Sequence, residues 1–124
     1  MLEIYLKTIE DIKKAALSLI EKERNTGICR QDNKETLVCK TELALGETDR
    51  LFEVVMGLPG DDEELYMCRH LIIEALEDLR ESFENRFCAD RGPDNSSGAY
   101  WQVQRAGYLM KIQAAEQQVR KLLL

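Results

Sequence analysis

The sequence predicts a mainly α-helical protein, with three long helices and one short helix packed as a bundle in a single domain over residues 1–124. Three observations support this prediction. Apolar residues recur every three or four positions over three long segments. Runs containing Gly, Pro or Asn separate the segments. The length of 124 residues fits one domain, or a helical subunit that completes its core by oligomerising.

The first long segment, residues 2–24, is predicted to be an amphipathic helix. Its apolar side chains fall on one stripe, because successive members are three or four residues apart. The members are Leu2, Tyr5, Ile9, Ile12, Ala16 and Leu19. The run Asn25-Thr26-Gly27 ends the helix, since Gly27 can take the left-handed conformation that closes a helix.

Residues 28–45 allow two interpretations. Two short runs rich in β-branched and Cys residues, the second at 36–39, flank a polar stretch and suit a small β-hairpin at about 28–42. A helix capped at Asp32 or Asn33 is the competing interpretation. We favour the hairpin, which needs a helix or a neighbouring subunit to cover it because two strands alone are marginally stable.

The next two helices are separated by the run Gly57-Leu58-Pro59-Gly60. Residues 47–56, which follow Gly46, are predicted to form the short helix. Residues 61–88 are predicted to form the second long helix, because acidic residues in its first turn suit the positive end of the helix dipole. Its apolar stripe comprises Leu65, Cys68, Ile72, Ala75, Leu79 and Phe83.

Residues 98–124 are predicted to form the third long helix, after a loop rich in turn-forming residues. One apolar face comprises Trp101, Tyr108, Ile112, Ala115, Val119 and Leu122. A second face comprises Val103, Ala106, Met110 and Ala114. Two apolar faces and the end Leu122-Leu123-Leu124 predict that this helix lies in the interface of a homo-oligomer.

The charge of the chain is uneven. With 17 basic and 23 acidic residues the net charge is −6, which argues against direct, non-specific binding of nucleic acid. Residues 47–90 carry thirteen acidic and four basic residues, whereas residues 96–124 carry a net charge of +3. The acidic and basic helices can attract each other, although surface ion pairs contribute only ~0–1 kcal/mol each.

No membrane, cofactor or metal is expected. No apolar run approaches the ~20 residues that cross a bilayer, and Glu3, Glu10 and Asp11 interrupt any apolar core of a leader, so a cytoplasmic protein is expected. The four cysteines include no Cys-x-x-Cys pair and His70 is the single histidine, which does not suit a zinc site. Buried, reduced thiols are expected instead.

Carboxylates on the middle helix offer one catalytic interpretation. Glu74, Glu77 and Asp78 are three or four residues apart and share a face, where such pairs can hold Mg²⁺ against a phosphate. This pattern loosely resembles the all-helical nucleotide pyrophosphohydrolases, which use Glu-x-x-Glu on one helix and Glu-x-x-Asp on the next. The resemblance implies a Mg²⁺-dependent pyrophosphohydrolase as the alternative function. Here Glu42 and Glu47 are five residues apart, a departure from the first pair of the family.

A second interpretation is a site for a small anionic, nucleotide-like ligand around the loop before the last helix. Arg91 and Asn95 offer donors beside the start of that helix, where backbone N–H groups favour anions. Trp101 can stack on a flat ring, and Arg105 lies one turn further on. Arg24, at the end of the first helix, can complete such a pocket across a subunit boundary.

A third interpretation is a surface for a basic partner protein. Glu74, Glu77, Asp78 and Glu81, with Asp61 and Asp62, can imitate the phosphates that such a partner binds. The chain has no glycine-rich phosphate loop and no nucleophile elbow. We therefore expect a non-enzymatic oligomeric binding protein that sequesters a ligand or blocks a partner, of the accessory or anti-defence inhibitor type.

Overall fold

The computed structural model describes residues 2–26, 34–60, 62–91 and 100–124, with their side chains except those of 24–41 and 86–91. Within this part of the chain there are four helices. They are α1 (Leu2–Thr26), α2 (Lys34–Met56), α3 (Glu63–Arg91) and α4 (Tyr100–Leu123). The predicted mainly α-helical fold is confirmed.

Helices α3 and α4 form the most extensively packed pair, and they run antiparallel. Asp78 on α3 pairs with Lys111 on α4, whereas Asn85, further along α3, bonds to Gln104, which is earlier on α4. An antiparallel pair is what a short connection between two helices favours.

Helix α1 packs along the other side of α4, also antiparallel. Lys13 in the middle of α1 bonds to Glu116 towards the end of α4. Glu23 near the end of α1 bonds to Arg105 near the start of α4. Helix α2 packs on α3, so α4 and α3 form the centre of the bundle and each carries one outer helix.

The carbonyl oxygens of the turn between α2 and α3 accept hydrogen bonds from side chains of α1 and α3. The Tyr5 hydroxyl donates to the Pro59 carbonyl oxygen at 2.9 Å, and Arg69 Nη1 donates to the Leu58 carbonyl oxygen at 3.0 Å. Gly60 has a φ of +120°, which side-chain-bearing residues rarely adopt. This turn therefore fixes the start of α1 against the α2–α3 corner.

The apolar stripes of the three predicted long helices form the core. The stripes supply the buried residues Tyr5, Ile9, Ile12, Ala16, Leu65, Cys68, Ile72, Ala75, Leu79, Phe83, Tyr108, Ile112, Ala115 and Val119. Cys68 is a free thiol, and burial raises its pKa, with a smaller contribution from the nearby Glu64 carboxylate. Burial also raises the pKa of Tyr108 to about 12.

Helix α2 differs from the sequence prediction. Residues 34–42 are helical rather than part of a hairpin, and the predicted short helix 47–56 is the second half of a 23-residue helix. The competing interpretation, a helix beginning after Asp32 or Asn33, agrees with the start of α2 at Lys34. Residues 28–33 of the proposed hairpin lie outside the described residues. Helix α2 as a whole packs on α3, and Gly46 costs the helix only about 1 kcal/mol.

None of the helices in the described part of the chain combines the length and the apolar character needed to cross a membrane.

Candidate functional site

Two of the predicted ligand-binding residues, Trp101 and Arg105, come together at the end of the bundle where α1 and α3 end and α4 begins. The Arg105 guanidinium carbon lies 4.6 Å from the centroid of the Trp101 ring and 4.8 Å from that of Phe83. A cation at this distance from a ring face is attracted by the quadrupole of the ring. The arginine therefore packs against two aromatic rings.

The charge of Arg105 is directed into the protein. Its Nη2 bonds to Glu23 on α1, and its Nε donates to Ser82 Oγ on α3 at 3.2 Å. The Arg105 and Glu23 side chains are only 12% and 9% exposed. Through Glu23 and Ser82, Arg105 joins α4 to α1 and α3. The Glu23 carboxylate balances the guanidinium charge that would otherwise attract an anionic ligand.

The other predicted ligand-binding residues are described less fully. Arg24 lies in the last turns of α1 and Arg91 is the last residue of α3, but their side chains lie outside the described part. Asn95 also lies outside the described residues. The structure therefore brings together two of the five residues and leaves the other three untested.

Three of the four predicted partner-binding carboxylates, Glu74, Glu77 and Glu81, lie on one side of α3, away from the core. Glu77 and Glu81 are exposed, and the Glu81 carboxylate accepts a hydrogen bond from Gln104 Nε2 at 2.8 Å. Glu74 is half-buried, and its Oε1 lies 2.9 Å from His70 Nε2. These three carboxylates form what we call the acidic face of α3.

Asp78, the fourth predicted carboxylate, faces α4 instead. Its Oδ2 accepts a hydrogen bond from Lys111 Nζ at 2.8 Å, and this bond raises the pKa of Lys111. Gly107 makes the approach possible, because a Cβ at that position would lie 2.7 Å from Asp78 Oδ2. Asp78 therefore joins α3 to α4 and is not an open carboxylate.

Helix α4 has an outer face without charge. Between residues 102 and 117 all exposed residues are uncharged. They are Gln102, Val103, Ala106, Leu109, Met110, Gln113, Ala114 and Gln117, and we call them the uncharged face. The second apolar face predicted from the sequence lies within it.

The charged residues of α4 in this span lie on its flanks, because each pairs with a neighbouring helix. Arg105 pairs with Glu23, Lys111 with Asp78, and Glu116 with Lys13 at 2.6 Å. The hydrogen bond from Lys13 lowers the pKa of Glu116, and a second bond from Arg120 lowers it further. These pairs leave the outer face of α4 uncharged.

Sequence reasoning missed two residues that shape this region. Gln104 is 6% exposed, and its position four residues before Tyr108 could have placed it on the buried stripe. Glu23 pairs with Arg105 across 82 residues of sequence, and no local pattern indicates such a pair.

Among the described residues, no group of three or more His, Cys, Asp and Glu side chains is arranged to hold a metal ion. Asp49 on α2 pairs with Arg80 on α3 at 3.0 Å. The same arginine also bonds to Glu84 at 2.5 Å. The α2–α3 boundary thus holds ion pairs between its carboxylates and Arg80.

Comparison with known proteins found no matching family model, no similar curated protein and no similar solved structure.

Proposed function

We propose that this protein is a non-enzymatic, oligomeric binding protein that blocks a basic surface of a partner protein with the acidic face of α3. One observation carries the proposal. The basic residues Arg105 and Lys111 of α4 are paired with Glu23 and Asp78, which lie outside the acidic face, while Glu77 and Glu81 remain exposed. The outer surface of α3 therefore keeps its negative charge.

The spacing of the carboxylates supports binding to a partner that recognises phosphates. Along a helix, positions 74, 77 and 81 are separated by about 4.5 Å and about 6 Å, at 1.5 Å per residue. All three side chains lie on one side of α3, as steps of three and four require. A row of negative charges at this spacing offers a basic surface several simultaneous contacts.

The basic-partner mode is better supported than a site for a small anionic ligand. A nucleotide-like ligand would use Arg105 for charge and Trp101 for stacking. The Arg105 guanidinium is already balanced by Glu23 and lies against the Trp101 ring. Binding an anion there would require these contacts to be exchanged.

The proposal places the protein in the cytoplasm, where the buried Cys68 thiol would remain reduced. There it would act as an accessory or anti-defence inhibitor, with copies joined through α4. Such a protein needs a stable surface and no reactive group.

The test compares two variants of equal net charge. One carries Glu74→Gln and Glu77→Gln on the acidic face, and the control carries two substitutions on exposed residues of α1. The control substitutions are Glu3→Gln and Glu10→Gln. Binding of a fluorescent oligoarginine peptide is measured by anisotropy at several salt concentrations.

We expect the α3 variant to weaken peptide binding several-fold more than the α1 control, and to reduce the dependence on salt more. Equal weakening by the two variants would show that only net charge matters and would overturn the proposal. Release of pyrophosphate from nucleoside triphosphates with Mg²⁺ would also overturn it, in favour of the pyrophosphohydrolase alternative.

A further inference from the structure

We infer that two copies of this chain pair through the uncharged face of α4, with the two α4 helices antiparallel and Lys121 of each copy beside Glu81 of the other. The inference rests on the oligomeric part of the proposed function and specifies its geometry. It shares Glu81 with the acidic face of α3, so that in the dimer Glu74 and Glu77 are the carboxylates of this face left for a basic partner.

The uncharged face is unlike the other exposed helix surfaces. The exposed residues of α1 include seven charged side chains: Glu3, Lys7, Glu10, Asp11, Lys14, Glu21 and Lys22. On α4, by contrast, Val103 is 62% exposed and Met110 is 72% exposed, with no exposed charge between residues 102 and 117. Depletion of charge with enrichment of Met marks the centre of a protein interface.

The order of residues on this face suits contact with another helix. Val103, Ala106, Met110, Gln113 and Gln117 follow one another at alternating steps of three and four. Alternating steps of three and four are the spacing of the seam between paired helices. Here the first three positions of the seam are apolar and the last two are glutamines. The small Ala106 side chain lets the two helix backbones approach each other.

The charges at the ends of the face determine the direction of pairing. Glu81 lies beside the start of α4, because it bonds to Gln104. Arg120 and Lys121 are exposed at the end of α4. An antiparallel pair brings the basic end of each copy to the Glu81 carboxylate of the other, whereas a parallel pair would bring Lys121 close to Lys121. Charge complementarity therefore selects a symmetric antiparallel dimer.

The size of the face can be compared with the area that a stable dimer buries. A standard interface buries about 800 Å² on each partner, which is about a tenth of the 7963 Å² surface of this chain. Residues 103–124 give a strip about 30 Å long at 1.5 Å per residue. Flanking side chains on α3 must join this strip to reach the standard area, so contact with Glu81 is part of the interface.

The first test introduces a charge at the centre of the face. Met110→Glu places two carboxylates near the symmetry axis, and Leu43→Glu on α2 is the matched control, because both side chains are 72% exposed. Mass is measured by light scattering after size exclusion over a range of protein concentrations, and circular dichroism checks the helical fold. We expect a dimer for the wild type and Leu43→Glu, and a folded monomer for Met110→Glu.

The second test examines the direction of pairing by exchanging charges. Lys121→Glu and Glu81→Lys should each raise the dimer dissociation constant, because each creates a like-charged contact. The double variant should restore dimerisation, since it re-forms the pair with reversed signs. A double variant no better than the singles would overturn the antiparallel arrangement.

The outcomes separate this inference from the proposed function. A monomeric wild type would overturn both the dimer and the oligomeric part of the proposal. A dimer that survives Met110→Glu would overturn only this inference, because copies would then pair elsewhere. A monomeric Met110→Glu variant would support the dimer through the uncharged face. Binding of oligoarginine by that monomer would separately support the acidic face as the partner site.

Discussion

Substitution of Arg105 by alanine is expected to destabilise the whole protein, although the sequence suggests this residue as a ligand contact. The change leaves the Glu23 carboxylate, in a side chain only 9% exposed, without its guanidinium partner. Removing one member of a buried pair costs about 3–5 kcal/mol. That is a large fraction of the about 5–15 kcal/mol that stabilises a typical domain.

The control is Arg120→Ala, on the same helix. Arg120 also bonds to a glutamate, Glu116 at 3.2 Å, but its side chain is 64% exposed. An exposed pair of this kind contributes about 0–1 kcal/mol. The two substitutions thus remove the same side chain from a buried and an exposed ion pair.

The assay is urea unfolding followed by helical circular dichroism, at one fixed protein concentration because dimerisation would add to the apparent stability. We expect Arg105→Ala to lower the free energy of unfolding by several times the loss seen for Arg120→Ala. Replacing both members of the pair, by Glu23→Leu with Arg105→Met, should recover part of the loss. Equal effects of the two alanine substitutions would refute the structural role assigned to Arg105.

Two other sets of substitutions test the backbone and the charge pairs. Gly46→Ala should raise the free energy of unfolding by about 0.5–1 kcal/mol, because a Cβ there meets no atom within 4 Å. Gly60→Ala should lower the free energy of unfolding, because φ at Gly60 is +120° and the added Cβ would lie 2.5 Å from Leu65 Cδ1. Thermal unfolding of the two variants should therefore shift in opposite directions, and shifts of the same sign would contradict the assigned conformations. The bond from Lys13 lowers the pKa of Glu116, so it stabilises the fold above the unfolded pKa of about 4.3 and is lost as pH falls through the folded pKa. The destabilisation caused by Glu116→Gln should be present at neutral pH and shrink in acid, and a difference that stays constant would exclude this role.

The apolar periodicity predicted most of the helical fold, because burial of one stripe per helix determines how the helices pack. The stripe from Leu65 to Phe83 is buried as expected, and α3 begins within two residues of the predicted start. A helix starting after Asp32 or Asn33 was the less favoured of two interpretations, because β-branched and Cys residues at 36–39 indicate a strand locally. Gly46 also suggested a break, whereas an exposed glycine in open space is tolerated inside a helix.

The candidate sites were less predictable, because their properties depend on contacts distant in sequence. Asp78 has the same helical spacing as the outward carboxylates, but Lys111 bonds to it from α4. Arg105 has the position expected of a ligand contact, but Glu23 bonds to it from α1. Helical spacing predicts on which face of a helix a side chain lies. It does not predict which residue of another helix pairs with that side chain.

Gly107 affects the stability of α4 before this helix packs on α3. A glycine in the middle of a helix costs about 0.5–1 kcal/mol relative to alanine, and here its missing side chain admits Asp78 from α3. The α4 helix is therefore less stable on its own than it would be with alanine at this position, and packing onto α3 stabilises it. The surface proposed to meet a second copy is thus assembled by folding, so a newly synthesised chain would not present it until the α3–α4 hairpin is complete.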